Sequence, residues 1–457
     1  MAGIGFELRK ILRDDSYFSL LRAYGYAGLI ASAPWIMSIA GVLFVGILSA
    51  HAAHQQLAVS AFQVSVTYLI AFSLMLTGLG QLLYTRVIAD LLFAGERTAV
   101  VSTLMFMLLV TTLVSAVFAA VAELLFFRHM GRGYTLLMEA GFIELSNVWI
   151  LTIMATSIKN YKGLSLSYLL AYGSIVMLGI YLTRYGIDGD LAAFDAGQAI
   201  LLIMLAALVI AQYPGEVNWP AAAFSVRPAW MLVPVGLFFN MGVWADKLLF
   251  WWDPQTGGRV LGPLRASPLY DGPIFLSYLL IIPGLAVFLM RLETDFVEAY
   301  DRFYRAIREG GVYAEIAAAK NGMVQAARRG FLEIAKVQGT VVLVSVAFGR
   351  QLLWLLGYKM GYTHIFDFDV VGVSLQLLFM SILNVYFYLD RQLRSLLLVS
   401  IFLAGNVILT AVTLWIGPFA YGAGFMASLL IADAAGLALL DRDFADLEYV
   451  TFMGARS

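Results

Sequence analysis

The 457-residue chain contains no cysteine, only four histidines and few charged side chains, which make up 13% of its residues. Without cysteine it can form no disulfide or thiolate metal site, and it has no thiol nucleophile. His51 and His54 lie three residues apart, but no carboxylate accompanies them, so no metal site is predicted. The G-x-x-x-x-G-K-[ST] loop of P-loop nucleotide-binding proteins is also missing. Since no catalytic constellation can be assembled, the chain is predicted not to be an enzyme and to need no cofactor.

The chain is rich in apolar residues, which account for 61% of it. Charged residues account for only 13%, whereas they make up roughly a quarter of soluble domains. A membrane span needs about 20 apolar residues, and twelve segments approach that length. They are 24–48, 62–84, 99–123, 142–158, 164–183, 195–213, 229–250, 273–290, 331–349, 369–389, 395–416 and 419–440. The sequence therefore predicts an all-α integral membrane protein with about 12 transmembrane helices that lie in the lipid bilayer.

The basic residues indicate which loops face the cytoplasm. Segment 291–336 is the one long hydrophilic run and carries eight of the 29 lysines and arginines. Loops rich in lysine and arginine stay inside, so this segment is predicted to be cytoplasmic. With twelve spans, both termini are then cytoplasmic, and inner segments hold 21 basic residues against seven outside. The basic residues are spread over several loops, which gives no phosphate-binding face, and no nucleic-acid partner is predicted.

The same reasoning divides the chain into regions. They are an N-terminal amphipathic interfacial helix (1–23), a lobe of six spans (24–213), a cytoplasmic linker (214–228), a second lobe of six spans (229–440) and a cytoplasmic tail (441–457). Within 291–336, apolar residues recur at helical spacing and Gly310 and Gly311 interrupt them. This pattern predicts a helical hairpin that either lies on the inner leaflet or binds a cytoplasmic partner.

Polar residues within the spans are the candidates for substrate or ion contacts, because buried polar groups in membranes are costly. The candidates are Ser73, Thr77, Gln81, Glu144, Asn147, Asn240, Trp244, Asp246, Lys247 and Asp433. Ser73, Thr77 and Gln81 form a neutral stripe suited to sugar hydroxyls, and hydrogen bonding between helices is the alternative. For Asp246 and Lys247 the alternatives are a structural ion pair and a contact with a sugar or ion.

Four short stretches carry a resemblance to a known family. They are the opening Gly3-Ile4-Gly5-Phe6-Glu7-Leu8-Arg9-Lys10, the Ser32-Ala33-Pro34-Trp35 turn, Thr85-Arg86 with Asp90, and Trp244-Ala245-Asp246-Lys247 with Trp251. In these stretches, in length and in the position of the long inner loop, the chain resembles the PelG family of bacterial inner-membrane proteins. Glycine often stands in that family where this chain has Ala33, which is a slight departure.

The resemblance implies a fold similar to the flippase superfamily of multidrug, oligosaccharidyl-lipid and polysaccharide transporters (MOP), with two six-helix lobes. It also implies export of Pel polysaccharide, a polymer rich in N-acetylgalactosamine and N-acetylglucosamine and part of the biofilm matrix. The implied partners are the cytoplasmic glycosyltransferase PelF and the membrane proteins PelD and PelE. Basic residues expected to hold the transferase are Arg9, Lys10, Arg13, Arg302, Arg305, Arg308, Arg328 and Arg329.

Two other functions remain open at this stage. A cation-coupled exporter of small molecules would need buried acids, and Glu144, Asp246 and Asp433 are available. A membrane anchor for the synthase would need no transport path at all.

Overall fold

A computed structural model describes residues 56–158, 160–213, 230–356, 361 and 363–453. The predicted N-terminal helix (1–23), the first span (24–48) and the linker (214–228) lie outside these residues. The helices of the first half are α1 Gln56–Ala94, α2 Arg97–Ala122, α3 Arg132–Ser157, α4 Tyr161–Leu182, α5 Ile187–Gln212 and α6 Leu232–Trp252. A π-helical turn, Glu123–Phe127, extends α2, and a 3-10 turn, Thr183–Tyr185, follows α4.

A small antiparallel hairpin separates the two halves of the chain. It consists of β1 Gly258–Leu261 and β2 Leu264–Ala266. The later helices are α7 Pro268–Leu279, α8 Ile282–Met290, α9 Val297–Arg308, α10 Tyr313–Leu355, α11 Thr363–Tyr388, α12 Gln392–Ile416, α13 Ala423–Ala445 and α14 Leu447–Met453. A π-helical turn, Arg291–Phe296, joins α8 to α9, and a 3-10 turn, Pro418–Ala420, precedes α13.

Eleven helical segments in the described part are long and apolar enough to cross a membrane. Each coincides with one predicted span from 62–84 onward, which confirms the all-α membrane fold. Several helical segments extend well beyond the predicted spans; among them, Arg132–Thr156 was expected as 142–158, and Ile187–Gln212 as 195–213. The reason is that charged residues such as Glu139 and Asp188 lie within the first turns of these helices and lower their local hydropathy.

The predicted break at Gly310 and Gly311 is confirmed. Gly310 adopts a φ of 72°, a left-handed conformation that favours glycine, and α9 ends two residues before it. The Gly311 amide donates to the Ala306 carbonyl at 2.9 Å, which satisfies a free carbonyl at the helix end. Two helices therefore flank a tight turn, as the apolar spacing predicted.

The described residues pack into two compact units. The first comprises those up to Trp244 together with Phe250–Ser267, and the second comprises Ala245–Leu249 and the residues from Pro268 onward. In the first unit α5 packs on α3 and α4, and Phe62 and Phe194 meet edge to face in its core. The predicted lobe boundaries stay a prediction, because the linker between the lobes falls outside the described residues.

The core of the second unit forms where α13 packs on α11 and α12. Phe402 lies between Phe379 and Phe425, with ring centroids 5.3 and 6.5 Å apart, and all three rings are fully buried. Gly424 permits the close approach of α12, because a Cβ there would lie 2.5 Å from the Thr410 amide nitrogen. Small residues at such positions let membrane helices pack tightly.

Candidate functional site

A buried carboxylate and a buried ammonium lie next to each other on α6. Asp246 is 0% exposed and Lys247 5% exposed, and the Lys247 Nζ lies 3.1 Å from the Asp246 Oδ2. An ammonium and a carboxylate removed from water to this degree are tolerated only when they are paired and hydrogen-bonded. The sequence placed both residues in one span, and the structure shows them in direct contact.

Residues from two other helices complete the environment of the Asp246 carboxylate. The Tyr270 hydroxyl donates to Oδ2 at 2.6 Å, and the Asn406 Nδ2 donates to Oδ1 at 3.1 Å. Thr410 in turn donates to the Asn406 Oδ1 at 2.9 Å. Every member is buried, so α6, α7 and α12 are held together by a connected polar network within the second unit.

Aromatic rings and another carboxylate surround the Lys247 ammonium. Its Nζ lies 5.2 Å from the ring centroid of Tyr278 and 5.1 Å from that of Phe425, which is cation-π distance. The Tyr278 hydroxyl donates to the Gln376 Oε1 at 2.9 Å. Asp369, fully buried on α11, lies within electrostatic reach of Lys247. One buried cation thus interacts with two buried carboxylates.

Asp433 lies on α13, the helix whose small residues face α12. It is 3% exposed, and neither carboxylate oxygen has a hydrogen-bond partner among the described residues. Burial without a partner makes a charged carboxylate costly, and in membrane proteins such residues are typical of functional positions.

In the first unit the predicted neutral stripe runs along α1. Ser73 is 0% and Thr77 4% exposed, and Thr77 donates to the Ser73 carbonyl at 2.7 Å. Gln81 donates to the Thr77 Oγ1 at 3.0 Å, and the Trp149 indole donates to the Ser73 Oγ at 2.9 Å. The stripe therefore makes hydrogen bonds within α1 and to α3.

A pair of acidic residues lies between α3 and α5. Asp195 is 6% exposed, and neither of its carboxylate oxygens has a partner among the described residues. It lies within electrostatic reach of Glu144, and Gly141 leaves room for it, since a Cβ there would lie 2.6 Å from the Asp195 Oδ1. Asn147, one turn beyond Glu144, instead donates to the Thr112 Oγ1 at 3.0 Å. The structure thus adds Asp195 to the predicted Glu144.

The two remaining candidates on α6 belong to the first unit. The Asn240 Nδ2 donates to the Gly236 carbonyl at 2.9 Å, and the Trp244 ring lies 6.2 Å from that of Trp251. Gly236 approaches α1 so closely that a Cβ at this position would overlap the Gly78 carbonyl oxygen. The N-terminal half of α6 therefore packs directly on α1.

The basic residues predicted to bind a partner lie in different surroundings. Arg302, Arg305 and Arg308 are exposed on α9, whose opposite face buries Phe303. Arg328 on α10 forms an ion pair with Asp441. A polar cleft of about 480 Å³ lies between α9 and α10 and is lined by Arg302, Arg329, Asp295, Glu298 and Glu333, among others. Arg9, Lys10 and Arg13 lie outside the described residues.

Several buried polar residues near the candidates were not predicted from the sequence, among them Asp195, Asp369, Tyr270 and Asn406. The first two stood at the edge of predicted spans that began at 195 and 369, whereas the helices begin at Ile187 and Thr363. Tyr270 was assigned to a loop, but α7 begins at Pro268. Helix-start signals, such as the acidic residues after Gly186, could have revealed the longer α5. Among the described residues no cluster of His, Asp and Glu is arranged to hold a metal ion.

Solved membrane transporters share this fold. A MOP superfamily transporter from Pyrococcus furiosus is 14% identical, with a TM-score of 0.65 over 93% of this chain and 96% of the other. An outward-facing multidrug resistance transporter of the MATE family, also of the MOP superfamily, is 14% identical, with a TM-score of 0.68 over 98% of this chain and 99% of the other. The Vibrio cholerae MATE transporter VcmN in its bent form is 14% identical, with a TM-score of 0.64 over 94% of this chain and 98% of the other. At these identities the similarity shows the fold alone.

Sequence comparison is more specific. Residues 1–452 match the model of the PelG family, described as an exopolysaccharide exporter (EPS-E). No curated protein matches the sequence.

Proposed function

The chain belongs to the PelG family of exopolysaccharide exporters, and from this premise we propose that it moves Pel polysaccharide from the cytoplasm to the periplasm across the bacterial inner membrane. In this proposal both termini are cytoplasmic, and the protein works with the cytoplasmic glycosyltransferase PelF and the membrane proteins PelD and PelE. The polymer that passes is rich in N-acetylgalactosamine and N-acetylglucosamine.

The observation that carries the proposal is the family match over residues 1–452, which spans nearly the whole chain. The fold agrees with it, because the chain has the architecture of MOP superfamily transporters. Transport is therefore the general activity. The polymer's identity and the partners are the parts that need direct tests.

The exposed face of α9 supports a role in binding the glycosyltransferase. Arg302, Arg305 and Arg308 recur every three residues and are exposed, while Phe303 anchors the helix from its opposite side. A charged face held on a rigid support suits an electrostatic contact with an acidic partner surface. The cleft beside it has both basic and acidic walls, with Arg302 and Arg329 facing Asp295, Glu298 and Glu333, so the basic contact rests on the exposed arginines of α9.

Polymer secretion is the first test. Cells that produce the Pel proteins should secrete polymer when this protein is present and retain it inside when the protein is deleted. The glycosyltransferase should co-purify with the tagged, solubilised protein. Secretion at the normal level without the protein would refute the transport role. A variant in which the buried Asp246 network is destroyed should also be tested in the deletion strain. If this variant still restores secretion, the protein acts as an anchor that carries no polymer.

The docking surface has its own test. Triple charge reversal, R302E/R305E/R308E, should release the glycosyltransferase from the membrane fraction, since three attractive contacts become repulsive. The matched control is R128E/R132E, which reverses exposed charges that the sequence places on the outer side. Complete co-purification with the triple variant would disprove this docking surface and leave the transport proposal unaffected.

A cation-coupled exporter is the second candidate, and the buried acids favour it. Asp195 and Asp433 have no hydrogen-bond partner among the described residues, and Glu144 lies near Asp195. Carboxylates in such positions can couple transport to protons or other cations. Replacing them with Asn or Gln should abolish coupled transport, whereas a conduit driven by polymer synthesis should keep most of its secretion. Vesicles that contain the purified protein would show which of these holds.

A further inference from the structure

The first unit contains an aromatic cavity at the end that the sequence predicts to face the external side of the membrane. Its volume is about 200 Å³, and it lies between α1, α2 and α3, with Trp252 and the β-hairpin residues Pro263 and Leu264 completing the wall. The arginines of this end, Arg128, Arg132, Arg259 and Arg265, all belong to segments predicted to be external. None of the polar candidates from the sequence lines it.

The aromatic wall of the cavity is held in place by hydrogen bonds and ring stacking. Tyr68 stacks on Trp251, with ring centroids 4.8 Å apart, and Phe118 stacks on Phe142 at 5.4 Å. The Tyr68 hydroxyl donates to the Arg265 carbonyl and accepts from the Arg265 amide, each at 3.1 Å. These contacts order the rings before any ligand arrives, which lowers the entropic cost of binding.

Two carboxyl groups provide the polar part of this cavity. Glu123 and Glu139 both line it, and they lie within hydrogen-bonding reach of each other. Glu139 is half-buried, its Oε1 atom has no partner, and no lysine or arginine in the described part of the chain forms an ion pair with either residue. The two carboxylates repel each other when both are ionised, so a cation bound between them would stabilise the charged pair.

The cavity also has an apolar entrance. Glu123 begins the π-helical turn, in which Leu124 and Phe126 are 69% and 61% exposed. Apolar side chains exposed beside a transmembrane helix are suited to contact lipid. π-helical turns of this kind are frequent at functional sites. An amphiphilic molecule could therefore enter from the membrane side.

We propose that this cavity, lined by Tyr68, Phe72, Phe118, Phe142, Glu123 and Glu139, binds an ammonium group carried on an apolar body. The carboxylates supply the counter-charge, the ring faces supply cation-π contacts, and the apolar wall accommodates the hydrocarbon part. The ammonium group can belong to an aminophospholipid of the surrounding bilayer or to a soluble lipophilic amine. This binding is separate from polymer export and does not depend on it.

Equilibrium binding of radiolabelled dodecyltrimethylammonium to the purified full-length protein in a neutral detergent tests the proposal, with empty micelles as the blank. We expect saturable binding at one site per chain. The isosteric variant E123Q/E139Q should weaken it at least tenfold, E139Q alone by less, and F118L severalfold. E96Q, which alters an exposed acid at the other end of α2, should leave the affinity unchanged. Size-exclusion profiles should verify that each variant is folded.

Competition then distinguishes the two sources of the ligand. Displacement of the probe by phosphatidylethanolamine, but not by phosphatidylglycerol, would identify a lipid headgroup site. Saturable probe binding that neither lipid displaces would identify a site for soluble amines. Non-saturable uptake equal to that of empty micelles, or equal affinity in the wild type and the folded E123Q/E139Q variant, would overturn the proposal.

Discussion

The buried pair of Asp246 and Lys247 permits a quantitative prediction about stability. At a separation of 3.1 Å and an effective dielectric constant of about 20, the Coulomb attraction is about 5 kcal/mol, against which the cost of desolvating both charges must be set. Replacing Lys247 with Met removes the attraction but leaves Asp246 buried, and removal of one partner of a buried pair costs about 3–5 kcal/mol. Tyr270 and Asn406 still donate to Asp246, so we expect the lower half of this range.

The double variant D246N/K247M removes both charges and leaves neutral side chains of similar size at the two buried positions. With no charge left to stabilise, it should recover at least half of the loss, because replacing a buried ion pair with neutral groups of similar volume is often close to neutral. Unfolding by sodium dodecyl sulfate in mixed micelles measures the free energies. The control is R86M, which breaks a pair of similar length, 3.2 Å, whose side chains are 38% and 36% exposed. It should cost less than about 1 kcal/mol.

A loss of stability in K247M no greater than that in R86M, or additive effects of D246N and K247M, would contradict an energetically coupled buried pair. Polymer secretion by the double variant then decides between the two interpretations of the pair. A folded double variant that secretes normally shows a structural ion pair. A folded double variant that secretes no polymer shows that the charges contact the substrate or a coupling ion.

Three further predictions concern packing and charge. G236A should fail to reach the normal expression level, because its Cβ overlaps the carbonyl of Gly78, whereas G173A, with nothing within 4 Å, should express normally. F303A should destabilise the hairpin by about 3–5 kcal/mol and speed its proteolysis, since the ring is fully buried; unchanged proteolysis would contradict this. D195N should fold at least as stably as the wild type, because no described residue donates a hydrogen bond to this carboxylate, and a large loss of stability measured by the same unfolding assay would reveal a partner.

Hydropathy and charge predicted which parts of this chain form membrane spans, because a span is a continuous segment of about 20 residues whose composition can be read directly from the sequence. The eleven spans and the break at Gly310 follow from local composition and spacing. Span ends were less predictable, since a carboxylate inside a helix, such as Glu139 or Asp188, lowers the hydropathy of its surroundings just as a loop residue does.

The candidate site was predicted only in part for a different reason. Asp246 and Lys247 are neighbours in sequence, so their proximity could be read directly. Asn406, which donates to Asp246, lies 160 residues away, and no local pattern links the two. The aromatic cavity combines residues as distant as Tyr68 and Trp252, and its shape exists only after folding.

The tight turn between α9 and α10 has a practical consequence that follows from the missing cysteines. Glu309 is exposed immediately before Gly310, and a cysteine introduced there would be the only thiol in the protein. A membrane-impermeant maleimide added to intact cells or to inverted vesicles would then label it from one side alone. Labelling with a single reagent could thereby determine the membrane topology of the chain. A fluorophore attached at the same position would detect the binding of a partner to the hairpin.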